Sequence, residues 1–311
     1  MNPTKTLSVA PRDAAAPSRV GVGFPYIDEL SSALYQMGLL DFVEMTPETL
    51  CRERRPAAER VLELIPERLE RARLSCAGLP IVVHGVELSI GSAHGLNSAY
   101  LDMLEQFQAR WPFLWHSEHM SFQTVLDDDG KTVDVGVPLP LPPTVETVRT
   151  VGTRARKIKE QFGVVFLLEN VAHYLSPLPA DPQIGDEIEM LNQVCAAGEC
   201  GLLLDLHNLY CNAVNQGFNA FHAVDRISLE RVHEVHVAGG RSTMGFWTDS
   251  HDGRVPDAVW ELVEYTLPRC WNVRGLVFEV LDAVAANLGV DVIASELRTA
   301  RSVWTACTKP T

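Results

Sequence analysis

Histidine and carboxylate side chains end a series of short apolar runs along this chain. They are His84 in IVVH, Glu169 in FLLE, Asp205 in LLLD, His236 in VHEVH and Glu279 in LVFE. Imidazole nitrogen and carboxylate oxygen in combination suit iron, manganese or zinc, and such a site does not need thiolate. If the chain folds so that the ends of these runs meet, their side chains can hold a metal centre.

Four more candidate ligands lie close behind the runs. They are His119 in SEHMSF, Asn208 in LLLDLHN, and Asp249 and His251 in TDSH. Burying so many carboxylates and imidazoles together is costly unless cations neutralise them, and only Arg241 and Arg254 lie in the nearby loop segments. The candidate ligands also outnumber what one mononuclear centre can use. The residues therefore favour a site with two or three metal ions and bridging carboxylates.

The apolar runs themselves predict the elements that bring these residues together. They cover residues 20–24, 42–45, 80–84, 113–116, 164–169, 201–206, 232–237 and 275–280, and amphipathic segments lie between them at 56–73, 98–110, 143–162 and 185–197. Near-continuous apolar strands are typical of a parallel sheet that is buried on both faces. Eight such strands separated by helices predict an α/β fold, a single (β/α)8 barrel of the TIM type, whose strands all end at one mouth.

An open, doubly wound sheet is the structural alternative. A dinucleotide site in such a sheet has little support, because no G-x-G-x-x-G follows the first run, which continues as GVGFPY.

Two stretches depart from the repeat of strand and helix. Residues 123–137 alternate around Asp-Gly and predict a hairpin, and residues 238–256 form a long loop rich in Gly, Ser and Asp. Both would lie at the mouth of a barrel, where lids and substrate grooves belong.

Length and composition limit what else the chain can be. A TIM-type barrel of about 250 residues accounts for most of the 311, and we expect a disordered arm at 1–17, the barrel at 18–300 and a tail at 301–311. The net charge of −14 argues against a nucleic-acid partner, because its field repels polyanions. No apolar run approaches the roughly 20 residues of a membrane span, and the N-terminal stretch has no apolar core of a signal peptide. Seven scattered cysteines without C-x-x-C indicate reduced thiols, so we expect a cytoplasmic protein.

An ordered series of phrases carries a family resemblance. HGVELSIGS, SEHMSF, LLEN, LLLDLHN, EVHVAGG and FEVLD resemble the domain-of-unknown-function family 692 (UPF0276), the multinuclear non-heme iron-dependent oxidative enzymes. The resemblance covers residues 21–282. It implies a TIM-type barrel with two or three irons, in the Fe2+ or Fe3+ state, and dioxygen as co-substrate. The implied reaction is oxidative modification of a cysteine in a ribosomally synthesised peptide, and a small partner protein that recognises the leader peptide is expected to form a heterodimer with the enzyme. The relatives include the methanobactin and 3-thiaglutamate enzymes, and we favour the carbon excision of the latter.

The resemblance also assigns the candidate ligands to three sets. His84, His119 and Glu169 correspond to the ligands of one iron, with Glu169 as a bridge. The second set is Asn208, His236 and Glu279, and the third is Asp249 with His251. Asp205 is expected to hold a ligand histidine in its tautomer, while Glu87 and Ser89 are candidates for contact with the substrate. Catalytic groups beyond the metal centre are not predicted.

Gly240 departs from the family pattern. Many relatives read A-G-H after the seventh strand, whereas this chain reads Ala-Gly-Gly at 238–240. The change bears on the identity of the substrate more than on the metal ions, because the other ligand positions are intact. His116 and His207 alternate away from the ligand face, so we expect structural roles for them. For Glu44, at the end of the second run, a salt bridge at the barrel rim is an equally good interpretation.

Two other functions fit the same residues. A metal-dependent barrel enzyme of the sugar-isomerase or endonuclease type would use strand-end carboxylates and histidines with zinc, magnesium or manganese. A non-enzymatic, metal-loaded scaffold would only bind the peptide, although an open mouth rich in ligands is unlike the closed site of a structural metal. Iron content and dependence on dioxygen separate these functions from the oxidative enzyme.

Overall fold

A computed structural model describes residues 19–55, 60–76, 78–174 and 178–308, which form a closed barrel of eight parallel strands surrounded by helices. The barrel strands are β1 (Gly21–Pro25), β2 (Phe42–Met45), β3 (Ile81–Gly85), β4 (Trp115–His119), β5 (Val165–Glu169), β6 (Gly201–Asp205), β7 (Val232–Ala238) and β8 (Gly275–Glu279). Each strand pairs with the next along the chain, and β8 pairs with β1 to close the barrel. The predicted single (β/α)8 barrel is confirmed, and each predicted apolar run overlaps one barrel strand.

Helices cover the outside of the barrel. In the described part of the chain they are α1 (Asp28–Gln36), α2 (Pro66–Ser75), α3 (Ser98–Arg110), α4 (Val145–Phe162), α5 (Glu187–Gly198), α6 (Leu206–Gln216), α7 (Ala220–Arg226), α8 (Asp257–Thr266), α9 (Asp282–Leu288) and α10 (Val290–Cys307). The side chains of Asn97, Thr144 and Asp186 accept backbone N–H groups at the starts of α3, α4 and α5. Gly163 and Gly217 take the left-handed conformation that ends α4 and α6.

Alternation along the strands divides the barrel interior into two layers. The lower layer is apolar and consists of Phe42, Val82, Trp115, Leu167, Leu203 and Val277. A residue two positions further along each of these strands lies on the same face. These residues are Glu44, His84, Ser117, Glu169, Asp205 and Glu279. The period of two in a strand therefore places an apolar floor directly beneath a ring of polar side chains.

Phe42 fills the floor because two glycines on neighbouring strands leave room for its ring. A Cβ atom at Gly275 would lie 2.8 Å from the tip of the ring, and one at Gly23 would collide with it. The ring also packs edge-on against Trp115, with the ring centroids 5.6 Å apart. Any side chain at either glycine would displace Phe42 and disturb the layer above.

The predicted amphipathic helix at 56–73 is wrong in its first half. Val61–Leu64 is a strand that pairs antiparallel with Cys51–Arg54, and α2 begins only at Pro66; residues 56–59 lie outside the described part. The sequence VLEL fits a period of two as well as a helical period, since Leu62 and Leu64 are the buried positions. The ladder with Cys51–Arg54 decides between them, and Glu63 pairs across it with Arg52 and Arg54.

The two other irregular stretches are hairpins. Ser121–Leu126 pairs with Thr132–Pro140, which agrees with the hairpin predicted around Asp-Gly. The predicted loop after β7 contains a small hairpin of its own, in which Arg241–Thr243 pairs with Phe246–Thr248. Both follow the C-terminal ends of barrel strands, β4 and β7, and so lie on the side of the mouth.

The expected domain boundaries need one change. Helix α10 continues to Cys307 with Val303 and Trp304 buried, so residues 301–307 belong to the outer layer of the barrel and not to a tail. The predicted arm at 1–17 lies outside the described residues.

All seven cysteines are free thiols. Among the described helices, none is long and apolar enough to span a bilayer.

Candidate metal centre

His84, His119 and Glu169 meet at the mouth of the barrel, at the C-terminal ends of β3, β4 and β5. The Nε2 atoms of His84 and His119 each lie 3.4 Å from Oε2 of Glu169. One ligand atom from each of the three residues lies within 4.8 Å of the others. The structure thus brings together the residues predicted for the first metal ion.

Hydrogen bonds around His84 determine which ring nitrogen carries its proton. The hydroxyl of Ser117 donates its single hydrogen to the carbonyl of Val83 at 3.2 Å, so it accepts from Nδ1 of His84 at 3.0 Å. Burial, with the neighbouring His119, lowers the pKa of His84 well below its usual value, so the ring is neutral. The lone pair on Nε2 therefore faces Oε2 of Glu169, a carboxyl whose pKa burial raises well above its usual value, so that a metal ion would displace its proton. A cation held between these two atoms would satisfy both.

His236 lies between two carboxylates on the opposite side of the mouth. Its Nε2 lies 2.9 Å from Oε2 of Glu44, and its Nδ1 lies 3.1 Å from Oε2 of Glu279. Burial alone would lower the pKa of His236, but the two carboxylates outweigh it and raise the pKa well above its usual value. The imidazole thus holds a second proton when no metal is present. Metal binding would have to displace that proton, which makes the affinity for metal dependent on pH.

Asp205 and Asn208 connect the first set to the second. Oδ1 of Asp205 accepts the backbone N–H of Asn208 at 2.7 Å and caps α6, while the Asn208 amide donates to Oε1 of Glu169 at 3.3 Å. Ligand atoms of Glu169, Asp205 and His236 also lie within 4.8 Å of one another, so Glu169 borders both sets. The expected role of Asp205 in holding a histidine tautomer is not what this contact shows, since Oδ1 holds a backbone group. Burial raises the pKa of Asp205 to about 6.

Asp249 and His251 form the third set, on the loop after β7. Oδ1 of Asp249 lies 2.8 Å from Nε2 of His251, and Nδ1 of His251 lies 3.7 Å from Oε1 of Glu279. Burial opposes the charge on His251, but Glu279 and Asp249 raise its pKa to about 10. His251 has a φ of 50°, a strained backbone conformation for a residue with a side chain, which is common where a site constrains the chain.

Buried polar atoms without a hydrogen-bond partner gather at this mouth. Within the described residues they include His84 Nε2, Glu169 Oε2, Asp205 Oδ2 and Asn208 Oδ1. The loop arginines do not reach them, because Arg241 pairs with Asp252 at 3.1 Å and Arg254 pairs with Glu296 at 2.6 Å. Leaving such atoms unpaired is costly, and their mixture of nitrogen and oxygen suits iron, manganese or zinc. The donor set therefore fits a centre of more than one metal ion.

Comparison with known proteins places the chain in a family. The family model of the RiPP precursor modification enzyme MbnB/TglH/ChrH matches residues 19–304. The chain belongs to this family. A UPF0276 protein of Caulobacter vibrioides is 30% identical over 268 residues, which cover 86% of this chain and 88% of the relative. Another, from Acinetobacter baylyi, is 30% identical over 231 residues, covering 74% and 73%. The resemblance found in the sequence is confirmed.

Solved structures share the barrel with this member of the MbnB/TglH/ChrH family. A xylose isomerase-like TIM barrel protein from Mycobacterium smegmatis, in complex with magnesium, has a TM-score of 0.52 at 13% identity, covering 94% of this chain and 98% of the other. The IolI protein with a bound zinc atom has a TM-score of 0.52 at 11% identity, covering 93% and 100%. At these identities the likeness shows the fold alone.

Three buried residues of this family member lie in or against the mouth without having been predicted as site residues. They are Glu44, Glu234 and His207. Oε2 of Glu234 accepts the indole N–H of Trp115 at 2.7 Å, and burial, with Glu44 nearby, raises the pKa of Glu234 to about 8. Glu234 stands two residues before His236 on the same strand, so strand alternation alone would have placed it on the ligand face. The same alternation places Glu44 two residues after Phe42 on that face, whereas His207 is recognisable only from its partners in space.

The two candidate substrate residues lie in the loop after β3. Oε2 of Glu87 pairs with Arg60 at 2.6 Å. The hydroxyl of Ser89 accepts the backbone N–H of Gln123 at 2.7 Å and so fastens the Ser121–Leu126 strand to this loop. Both side chains thus hold the rim of the mouth. Their contact with a substrate stays a prediction.

Proposed function

We propose that this protein oxidises a cysteine of a ribosomally synthesised peptide, using dioxygen and two or three bound iron ions. The observation that supports this most directly is the group of unpaired ligand atoms around Glu169, where the first and second ligand sets adjoin. Membership of a family of RiPP precursor modification enzymes supports a peptide substrate. Bound iron would supply a site for the cysteine sulfur and the route by which its electrons reach dioxygen.

The residues of the mouth prepare this site in three ways. Burial lowers the pKa of His84 and of His119, so both rings keep their lone pairs free at neutral pH. Glu169 borders both ligand sets, and its two oxygens suit a bridging role. Glu44 holds one nitrogen of His236, which fixes the orientation of that ring. These contacts hold the side chains that would carry the ions in defined orientations.

The rim of the mouth is where a peptide would reach the metal ions. The two hairpins beside it expose apolar side chains, among them Val125, Val137, Met244 and Phe246. With a net charge of −14 the protein has no general attraction for an acidic peptide, so docking through such a local patch is expected. The proposal includes a small partner that binds the leader peptide and forms a heterodimer with the enzyme. It also includes carbon excision of the 3-thiaglutamate type, for which the resemblance is the support.

The test is a reaction followed by the mass of the peptide. The full chain is purified without oxygen, its iron is measured, and it is then supplied with a cysteine-containing peptide, its partner protein, ferrous iron and dioxygen. We expect a change in peptide mass that needs both oxygen and iron. His236→Ala and Glu279→Ala should abolish the change and reduce the bound iron, while His222→Ala, at an exposed position of α7, should behave as the wild type.

Three results would contradict the proposal. One is modification of a Cys→Ser peptide at the same rate, and another is unchanged turnover without oxygen. The third is a protein that binds one zinc and no iron after anaerobic purification, which would favour a hydrolase or isomerase of the kind that the barrel also hosts.

A further inference from the structure

His207 is a fully buried side chain at the start of α6, directly behind the third ligand set. Its Nδ1 lies 2.8 Å from Oδ1 of Asp249, and its Nε2 accepts the indole N–H of Trp247 at 3.2 Å. Trp247 is itself held in place, because Asn215 exchanges two hydrogen bonds with its backbone, each 2.8 Å long. The imidazole thus connects a fixed indole to a candidate metal ligand.

These contacts determine the tautomer of His207. An indole nitrogen can only donate a hydrogen bond, so Nε2 of His207 must be the acceptor and the proton must be on Nδ1. Nδ1 therefore donates to Oδ1 of Asp249, while the backbone N–H of Asp249 is held by the hydroxyl of Tyr174 at 2.9 Å. With both its backbone and one carboxylate oxygen held, the side chain of Asp249 has a defined orientation.

Gly240 makes room for this arrangement. A Cβ atom at position 240 would lie 2.8 Å from both Cε1 and Nε2 of His207, and it would collide with the backbone oxygen of Thr248. A side chain at 240 and the observed ring of His207 therefore exclude each other. The glycine at this position and the histidine at 207 form one structural unit.

We propose that His207 is a positioning residue that orients the carboxylate of Asp249 for a metal ion at the Asp249–His251 set. Trp247 sets the direction of its proton and Gly240 leaves space for its ring. The inference rests on the metal centre of the proposed function. It adds a residue that would control one metal ion of the centre without contacting that ion.

The experiment compares two replacements of His207 by their binding of ferrous iron alone. His207→Leu removes the donor to Asp249, whereas the side-chain amide of His207→Asn can still donate to it. Iron bound per chain and its dissociation constant are measured by anaerobic equilibrium dialysis, and the melting temperature of the metal-free protein is measured beside them. We expect His207→Leu to weaken iron binding at the Asp249–His251 set roughly 10- to 100-fold and His207→Asn to keep most of the affinity.

Two further variants separate positioning from a general loss of structure. Trp247→Phe keeps an aromatic ring but removes the N–H, so His207 is free to place its proton on Nε2; we expect the same iron to bind several-fold more weakly. His222→Leu removes an exposed histidine on α7 and should leave iron binding unchanged. If His207→Leu does not fold, Trp247→Phe alone decides the question.

The outcomes distinguish the inference from the function on which it rests. A wild-type protein that binds no iron would overturn the proposed function. A wild type that binds iron, beside a His207→Leu or Trp247→Phe variant that binds the same amount with the same affinity, would overturn only the role of His207. A variant with a lower melting temperature but unchanged iron binding would show that the histidine is merely structural.

Discussion

His236 and Glu44 pair across the barrel, with Nε2 of the imidazole 2.9 Å from Oε2 of the carboxylate, although 192 positions separate them in the chain. Both side chains are almost completely buried, and the other ring nitrogen faces Glu279. A carboxylate that holds one nitrogen of a ligand histidine fixes its ring and raises its basicity. Glu44 is therefore buried against a candidate ligand histidine, and is not an exposed salt bridge at the rim.

Replacing Glu44 should weaken metal binding at the second ligand set. In Glu44→Leu the ring of His236 loses the partner of Nε2, and we expect the affinity for iron to fall roughly 10- to 100-fold. Glu44→Gln keeps an oxygen acceptor for His236 and should retain more of the iron affinity than Glu44→Leu does. Anaerobic titration with ferrous iron measures the change. Glu63→Leu, at a solvent-accessible position of the Val61–Leu64 strand, is the control. Equal iron affinity in Glu44→Leu and the wild type would rule out this role.

Ser117 should control the tautomer of His84. In Ser117→Ala no hydroxyl accepts the proton of Nδ1, so the proton is free to move to Nε2, the nitrogen that faces Glu169. We expect iron affinity to fall by roughly tenfold, equivalent to about 1–1.5 kcal/mol for one lost hydrogen bond. Ser117→Thr retains the hydroxyl and should bind iron nearly as the wild type does. If alanine and threonine at this position bind iron equally well, the tautomer argument is wrong.

Gly240→Ala should destabilise the protein, because the new methyl group would meet both the His207 ring and the backbone of Thr248. We expect the free energy of unfolding to fall by about 1–3 kcal/mol, the usual cost of overpacking. Gly253→Ala is a matched control in the same loop, since a Cβ there would come no closer than 3.8 Å to another atom. Urea denaturation of the metal-free proteins measures both. Similar midpoints for the two variants would contradict the prediction.

Glu118 should make the stability of the metal-free protein fall as the pH rises. Burial raises its pKa from 4.5 to about 8, and its Oε1 lies 3.2 Å from Nε2 of the buried His116. Between these two pH values the folded protein keeps a proton that the unfolded chain releases, so folding is favoured at the acidic end and loses that advantage towards pH 8. At about 1.4 kcal/mol per pKa unit, the free energy of unfolding falls by a few kcal/mol at most over this pH range.

The variant Glu118→Gln tests this, because its side chain has no proton to lose. Urea denaturation at pH 5 and at pH 8 should give a smaller loss of stability in the variant than in the wild type. Equal losses in both proteins would show that Glu118 is already ionised in the folded state or that other groups cause the slope.

The sequence by itself was sufficient to predict the barrel and to name most of the candidate ligands. Strand alternation and apolar runs are local properties, and a parallel barrel brings the ends of all its strands to one mouth. His84, Glu169 and Asp205 could therefore be assigned to the same place before any contact was known. The same local patterns did not distinguish strand from helix at Val61–Leu64, where both periods fit and only the partner strand decided the outcome.

Only the tertiary structure determined which of these side chains touch. The partners of His236 and His207 come from segments far away in the chain, and their distances depend on how β2, β7 and the loop after β7 meet when the barrel closes. Glu44 became a partner of His236 for that reason, and His207 became a partner of Asp249 because Gly240 leaves space beside it. Hydrogen bonds act over about 3 Å, so they depend on the packing of the whole barrel, which a pattern of residue types along one strand does not contain.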